Sequence, residues 1–197
     1  MSASDEPGAD SRSVFRGRLL DVRVERAEYP DGSTGELEIV RHPGAAAVLS
    51  VVPPDERCDG GTSTGVILLR QYRHAVGGVI WEVPAGKLDG EESPADCARR
   101  ELLEEAGISA MRLEYLTTLM TTPGFTDERV HLFLATGLTF GASSRERQEF
   151  IEVRTLDLEI ALAMVDGGEI GDAKTVACLL LAARRLAGDT AAGDRPG

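Results

Sequence analysis

The segment GKLDGEESPADCARRELLEEAGI, residues 86–108, constrains this chain more than any other. Ser93 is placed to cap a helix, Pro94 suits its first turn, Asp96 completes a capping-box spacing and Gly107 is placed to end it. Such a helix sets Glu101 and Glu105 one turn apart on one face, with Glu104 beside them. Like charges at that spacing cost a helix about a few tenths of a kcal/mol per pair, so the cluster calls for a compensating cation. Hard oxygen donors on a fixed scaffold suit Mg²⁺, with Mn²⁺ as a substitute, and such an ion bridges phosphate oxygens and activates water. Ala98, Leu102 and Ala106 form an apolar stripe, so the helix also has to lie against a core.

Around this helix the chain alternates strands and helices. Residues 13–43 pattern as two strand segments about a turn at Pro30–Ser33, which implies a β-hairpin or small N-terminal antiparallel sheet. Residues 44–187 form the main domain, with strands over 45–52, 66–76, 79–86, 111–119, 128–138 and 150–153 and closing helices over 157–166 and 173–186. Strands flanked by helices imply an α/β sandwich on a mixed sheet. The small, polar and acidic ends, 1–12 and 188–197, are expected to be disordered tails.

Composition narrows the partners. With 33 acidic against 21 basic residues the net charge is −12, which repels nucleic acid and anionic membranes, and no basic patch offsets it. The three cysteines, Cys58, Cys97 and Cys178, form no CxxC pair, which excludes a zinc or redox motif and fits a reducing cytoplasm. His42, His74 and His131 lack ligand spacing. A small-molecule anion, reached through a divalent cation, is the substrate class that remains.

A glutamate-rich helix alone reads as a solvated face, and the spacing is what changes that reading. Gly86, Glu92, Arg100, Glu101, Leu102, Glu104, Glu105, Gly107 and Ile108 resemble the complete Nudix box. At ordinary residue usage such a coincidence at a given start is on the order of one in ten million. Pro123 within TTPGFTDE, together with RHPGAAAV, RQYRHAVGGVIWEVPAGKLDGEE, EFIEV and GEIGDAKTVACLLLA, resembles the ADP-ribose pyrophosphatase branch, so the likeness spans about residues 14–186.

The resemblance implies a Nudix-type α/β/α sandwich and Mg²⁺-dependent hydrolysis of ADP-ribose, or a related ADP-sugar, to AMP and a sugar 5-phosphate. Other nucleotide sugars or dinucleotide polyphosphates, and a non-catalytic nucleotide sensor, are the alternatives. It makes Glu101, Glu104, Glu105 and the Ala85 carbonyl the metal ligands, with Glu104 also a candidate to position water. Glu92 and Arg100 become a loop-to-helix lock, and Gly86, Gly107 and Pro123 structural positions. Arg73, Arg41, Glu82, Asp127 and Glu128 are expected to meet substrate. A water attacking phosphorus needs an acceptor, for which Glu149 is favoured, then Glu146 and Glu152. In that branch the N-terminal sheet exchanges across a homodimer, which also covers an exposed sheet edge.

Overall fold

The computed structural model describes residues 11–141 and 151–193, which fall into two compact units, Met1–Gly44 with Met120–Arg129 and Ala45–Leu119 with Val130–Gly197. In the larger unit a mixed sheet runs in the order β10 (Ile151–Asp157), β5 (Gly65–Arg73), β4 (Ala45–Val52), β9 (Arg129–Phe140) and β8 (Ile108–Met120). Two short strands extend it, β6 (Gly78–Glu82) on β5 and β7 (Ala85–Lys87) on β4. β4 is parallel to β9 and antiparallel to β5 and β7.

The sequence of β4, AAAVLSVV, lacks polar alternation because both faces are covered. Ala47, Leu49 and Val51 pack with Ala161 of α2 (Leu158–Asp166) and with Cys178, Leu179 and Ala182 of α3 (Ala173–Gly193). Ala46, Val48 and Val52 pack instead with Cys97, Ala98 and Leu102 of α1 (Pro94–Ala106). The result is the expected α/β/α sandwich. Fully burying a leucine such as Leu49 contributes about 2 kcal/mol, so β4 anchors both layers.

α1 starts as its sequence dictates. Ser93 Oγ accepts from the Asp96 N–H at 3.2 Å and donates to Asp96 Oδ2 at 2.6 Å. Gly107 ends the helix at φ 70°, a left-handed conformation that glycine adopts without steric cost. The buried side of α1 differs from the expected stripe: Glu101 and Glu105 are buried with Cys97, Ala98 and Leu102, whereas Ala106 is only half-buried. Two glutamates on a buried face are tolerable only where the fold supplies partners.

The smaller unit is a three-stranded antiparallel sheet, β1 (Ser11–Arg16), β2 (Asp21–Glu28) and β3 (Thr34–Arg41). It has one strand more than the two segments read from the pattern. The unrecognised turn is at Gly17, whose N–H donates to Leu20 C=O at 2.8 Å. β1 also begins inside the stretch assigned to a disordered tail, because Ser11 pairs with Glu25. Residues 120–129, expected in the main domain, group with this sheet. There Val40 N–H donates to Phe125 C=O at 2.7 Å.

Two further boundaries moved. The strand over 66–76 ends at Arg73, and one 3₁₀ turn over His74–Val76 closes on Gly77 at φ 73°. α3 runs to Gly193 rather than 186, since an alanine-rich context carries a helix past one glycine that costs it about 1 kcal/mol. Among the described residues no helix is long and apolar enough to cross a membrane.

Candidate active site

Arg100 organises the loop before α1. Its Nε and Nη2 grip Glu92 Oε1 and Oε2, each at 2.9 Å, a bidentate fork, and Nη2 also donates to the Lys87 carbonyl at 3.1 Å. Nη1 donates to Glu101 Oε1 at 2.6 Å and to Glu104 Oε2 at 3.1 Å. One guanidinium thus ties residues 87 and 92 of the loop to the helix and neutralises part of the carboxylate cluster. The Arg100 guanidinium beside it holds the Glu92 carboxyl below the usual glutamate value. Cys97 lies beneath the loop, its thiol against the Gly86 and Lys87 carbonyls, and burial pushes it up to about 12, so it stays protonated.

Glu105, 4% exposed, accepts the Ala85 N–H on Oε2 at 2.9 Å, which fixes the carboxylate against β7. Gly86 is required for closeness, since a Cβ there would overlap the Glu101 carboxylate. A cleft of about 470 Å³ opens here, lined among others by Arg73, Gly86, Arg100, Glu101, Glu104 and Glu105. Its lining sets four carboxylates, Asp89, Glu101, Glu104 and Glu105, against three cations, Arg73, Lys87 and Arg100, leaving an excess of negative charge that favours a bound cation.

A divalent ion fits this donor set by chemistry: hard carboxylate oxygens on one helix face, beside a glycine that leaves room. Among the described residues no three His, Cys, Asp or Glu side chains are yet gathered into a metal shell. Arg100 supplies the positive charge to Glu101 and Glu104 instead.

Arg73 reaches the cleft from the end of β5. Glu82 does not line it. It is 3% exposed and engages Arg73 and Lys174, so the carboxylate read from the sequence as facing substrate is an internal ion-pair partner. Its position on β6 opposite Leu69 turns it into the core, where only paired charges survive. Glu152, the third choice as proton acceptor, pairs with Arg70 on adjacent strands and is also absent from the cleft lining. Glu149 and Glu146 lie outside the described residues.

Arg41, Asp127, Glu128 and Pro123 are gathered in the smaller unit. Arg41 grips Glu25 through Nε at 2.9 Å and Nη2 at 2.5 Å, and donates to Asp127 Oδ2 from Nη1 at 2.9 Å. Asp127 Oδ1 accepts the His42 N–H at 2.8 Å. Burial pushes the Asp127 carboxyl up, and Arg41 with the His42 N–H outweighs it, so the net shift is downward. Glu128 is held by Thr121 Oγ1 at 2.7 Å. Pro123 opens the turn in which Thr122 C=O accepts from Phe125 and Thr126. Arg41 and Asp127 also line a cleft of about 540 Å³ with Arg16, Arg18 and Arg23.

Sequence reading missed Glu25, the main partner of Arg41, and Lys174, the second partner of Glu82. Glu25 gives no signal in a strand of alternating charges. Lys174 does, as the sole charged residue between Asp172 and Arg184 in an otherwise apolar helix.

Fold and site define a class: an α/β/α scaffold with an all-oxygen, cation-seeking cleft built on one helix and its preceding loop. The NUDIX domain model matches residues 41–178, and the chain belongs to the Nudix family. The ADP-ribose pyrophosphatase of Bacillus subtilis (strain 168) is 41% identical over 177 residues, covering 89% of this chain and 91% of that protein. The methanol dehydrogenase activator of Bacillus methanolicus is 36% identical over 174 residues, covering 87% and 89%. A crystal structure of an ADP compounds hydrolase shares the fold with a TM-score of 0.76 at 23% identity, covering 96% of this chain and 98% of that one.

Proposed function

We propose that the protein hydrolyses the pyrophosphate bond of ADP-ribose, or a related ADP-sugar, giving AMP and a sugar 5-phosphate. The observation that carries this reading is the convergence of Glu101, Glu104, Glu105 and Arg73 on one cleft. The choice of substrate is supported by similarity to a protein named for ADP-ribose. Water adds across the bridging P–O bond: its oxygen joins one phosphorus, and the other phosphate leaves with the bridging oxygen.

Glu101, Glu104, Glu105 and the Ala85 carbonyl would hold Mg²⁺, which when bound neutralises the diphosphate and acidifies water. Arg73 presents a planar cation to the phosphate oxygens, the geometry an arginine fork matches. The Ala85 N–H keeps Glu105 in one orientation, and the Arg100–Glu92 fork keeps the loop against α1. Glu149 is the proposed proton acceptor from its place before β10, with Glu146 in reserve; Arg41, Asp127 and Glu128 are proposed to meet the nucleoside end. The exposed Val14, Phe15, Leu19 and Leu20 of the smaller unit support a homodimer, and three reduced cysteines support a cytoplasmic setting.

A panel of nucleotide sugars and dinucleotide polyphosphates, assayed with purified protein and Mg²⁺, tests the reading. ADP-ribose is expected to turn over fastest, and chelation to stop it. Indifference to ADP-ribose while another compound is rapidly cleaved would overturn the substrate assignment and leave the reaction class standing. Light scattering tests the dimer.

A further inference from the structure

Arg73 is anchored by a carboxylate that the fold has nearly removed from water. Glu82 is 3% exposed, and an ionised carboxylate at such depth is tolerated only when paired. Its Oε2 accepts Arg73 Nε at 2.7 Å. Its Oε1 accepts Lys174 Nζ at 2.5 Å and, more weakly, Arg73 Nη2 at 3.4 Å. Lys174 meets Asp172 Oδ1 at 2.9 Å on its other side. Charge therefore alternates along Arg73, Glu82, Lys174 and Asp172, and sums to zero.

Helix stability does not explain a lysine at this place. Lys174 is the second residue of α3, where the positive end of the helix dipole disfavours a cation. The backbone around it is nonetheless firmly set. Asp172 Oδ2 accepts from Thr175 N–H at 3.0 Å, and Thr175 Oγ1 accepts from Val83 N–H at 2.9 Å, next to Glu82 itself. Burial pushes the Lys174 ammonium down, and Asp172 and Glu82 outweigh it, so it stays charged.

We propose that Lys174 is a positioning residue for Arg73. By occupying Oε1 of Glu82 it limits Arg73 to one strong contact through Nε, which leaves the end of the guanidinium turned to the cleft for the oxygens of a diphosphate. Arg73 keeps 41% of its side chain exposed, as that role requires. Were Lys174 uncharged, Oε1 would be free for Arg73 Nη2 to close its 3.4 Å contact, and the tightened fork would draw the guanidinium toward Glu82 and away from the cleft. The inference rests on the reading of the cleft as a diphosphate site.

The test compares wild type, Lys174→Met, Arg73→Met and the double variant by kcat and KM for ADP-ribose with Mg²⁺, and by calorimetric binding of ADP. Lys174→Met is expected to raise KM and weaken ADP by between about tenfold and a hundredfold, with a smaller change in kcat. The double variant is expected to be no worse than Arg73→Met, since Lys174 acts through Arg73. Wild-type KM and ADP affinity in Lys174→Met, or effects that add in the double variant, would overturn the proposal. Should Lys174→Met fail to fold, Lys174→Gln, which removes the charge but keeps a polar end and leaves Glu82 intact, replaces it under the same two criteria. A wild type that neither cleaves ADP-ribose nor binds ADP defeats the functional reading as well, whereas an active wild type with an indifferent Lys174→Met defeats this inference alone.

Discussion

Arg100 and Arg41 are each clamped between carboxylates, yet they are assembled in opposite ways. Arg100 takes its partners from one loop and one helix: Glu92 lies eight residues away, Glu101 is adjacent and Glu104 is one turn on. Arg41 takes Glu25 from a neighbouring strand and Asp127 from 86 residues along the chain. The first cluster is made by helix geometry and a short loop, the second by strand pairing and a distant turn. Their burial differs too, with 28% of the Arg100 side chain exposed against 44% for Arg41. An ion pair gains strength as water is excluded, so the local cluster should carry more energy than the assembled one.

The largest effect is expected from removing one carboxylate of the cleft that the Arg100 cluster helps to line. Glu105→Gln keeps an acceptor for the Ala85 N–H but loses the charge, and turnover is expected to fall by about two orders of magnitude or more with the melting temperature little changed. Wild-type turnover would refute Glu105 as a ligand. Gly86→Ala comes next. Its Cβ displaces the flexible Glu101 carboxylate, so activity should drop about tenfold while urea unfolding barely moves; a large stability loss would show that the backbone shifts instead.

Arg100→Met and Arg41→Met then compare the clusters directly by urea titration. The first is expected to cost about 2 kcal/mol, through charged hydrogen bonds left without their donor, and the second less than about 1 kcal/mol. Equal losses would erase the distinction. The smallest effect is in acid. Because the folded Glu92 carboxyl titrates below 4.5, its ordinary value, its contribution is complete above that pH and is lost as pH falls through the lowered value. The stability gap between wild type and Glu92→Gln should therefore stay constant from neutral pH down to about that point and shrink below it. A gap unchanged at pH 3 would remove the Arg100 pairing as its source.

Legibility in the sequence followed the same division. The α/β/α class, α1 with its caps and the Glu101–Glu104–Glu105 cluster were readable, since capping and helical periodicity act within a few residues. The burial of Glu82 between Arg73 and Lys174 was not legible, because strand alternation marks two faces without saying which is buried. β1 was missed because Gly17 makes its turn without a proline or an Asn-Gly pair, and the place of residues 120–129 because the contacts that hold them, Val40 N–H to Phe125 C=O and Arg41 to Asp127, join positions more than 80 residues apart.

By itself, then, the sequence determined the helix that presents three carboxylates, the glycine that leaves them room and the arginine that binds loop to helix. Each depends on spacing within 86–108. Tertiary structure decided which cations meet which acids: Lys174 reaches Glu82 across 92 residues and Arg41 reaches Asp127 across 86. Those pairings follow from sheet register and from the docking of α3, where a one-residue slip would turn every side chain to the other face.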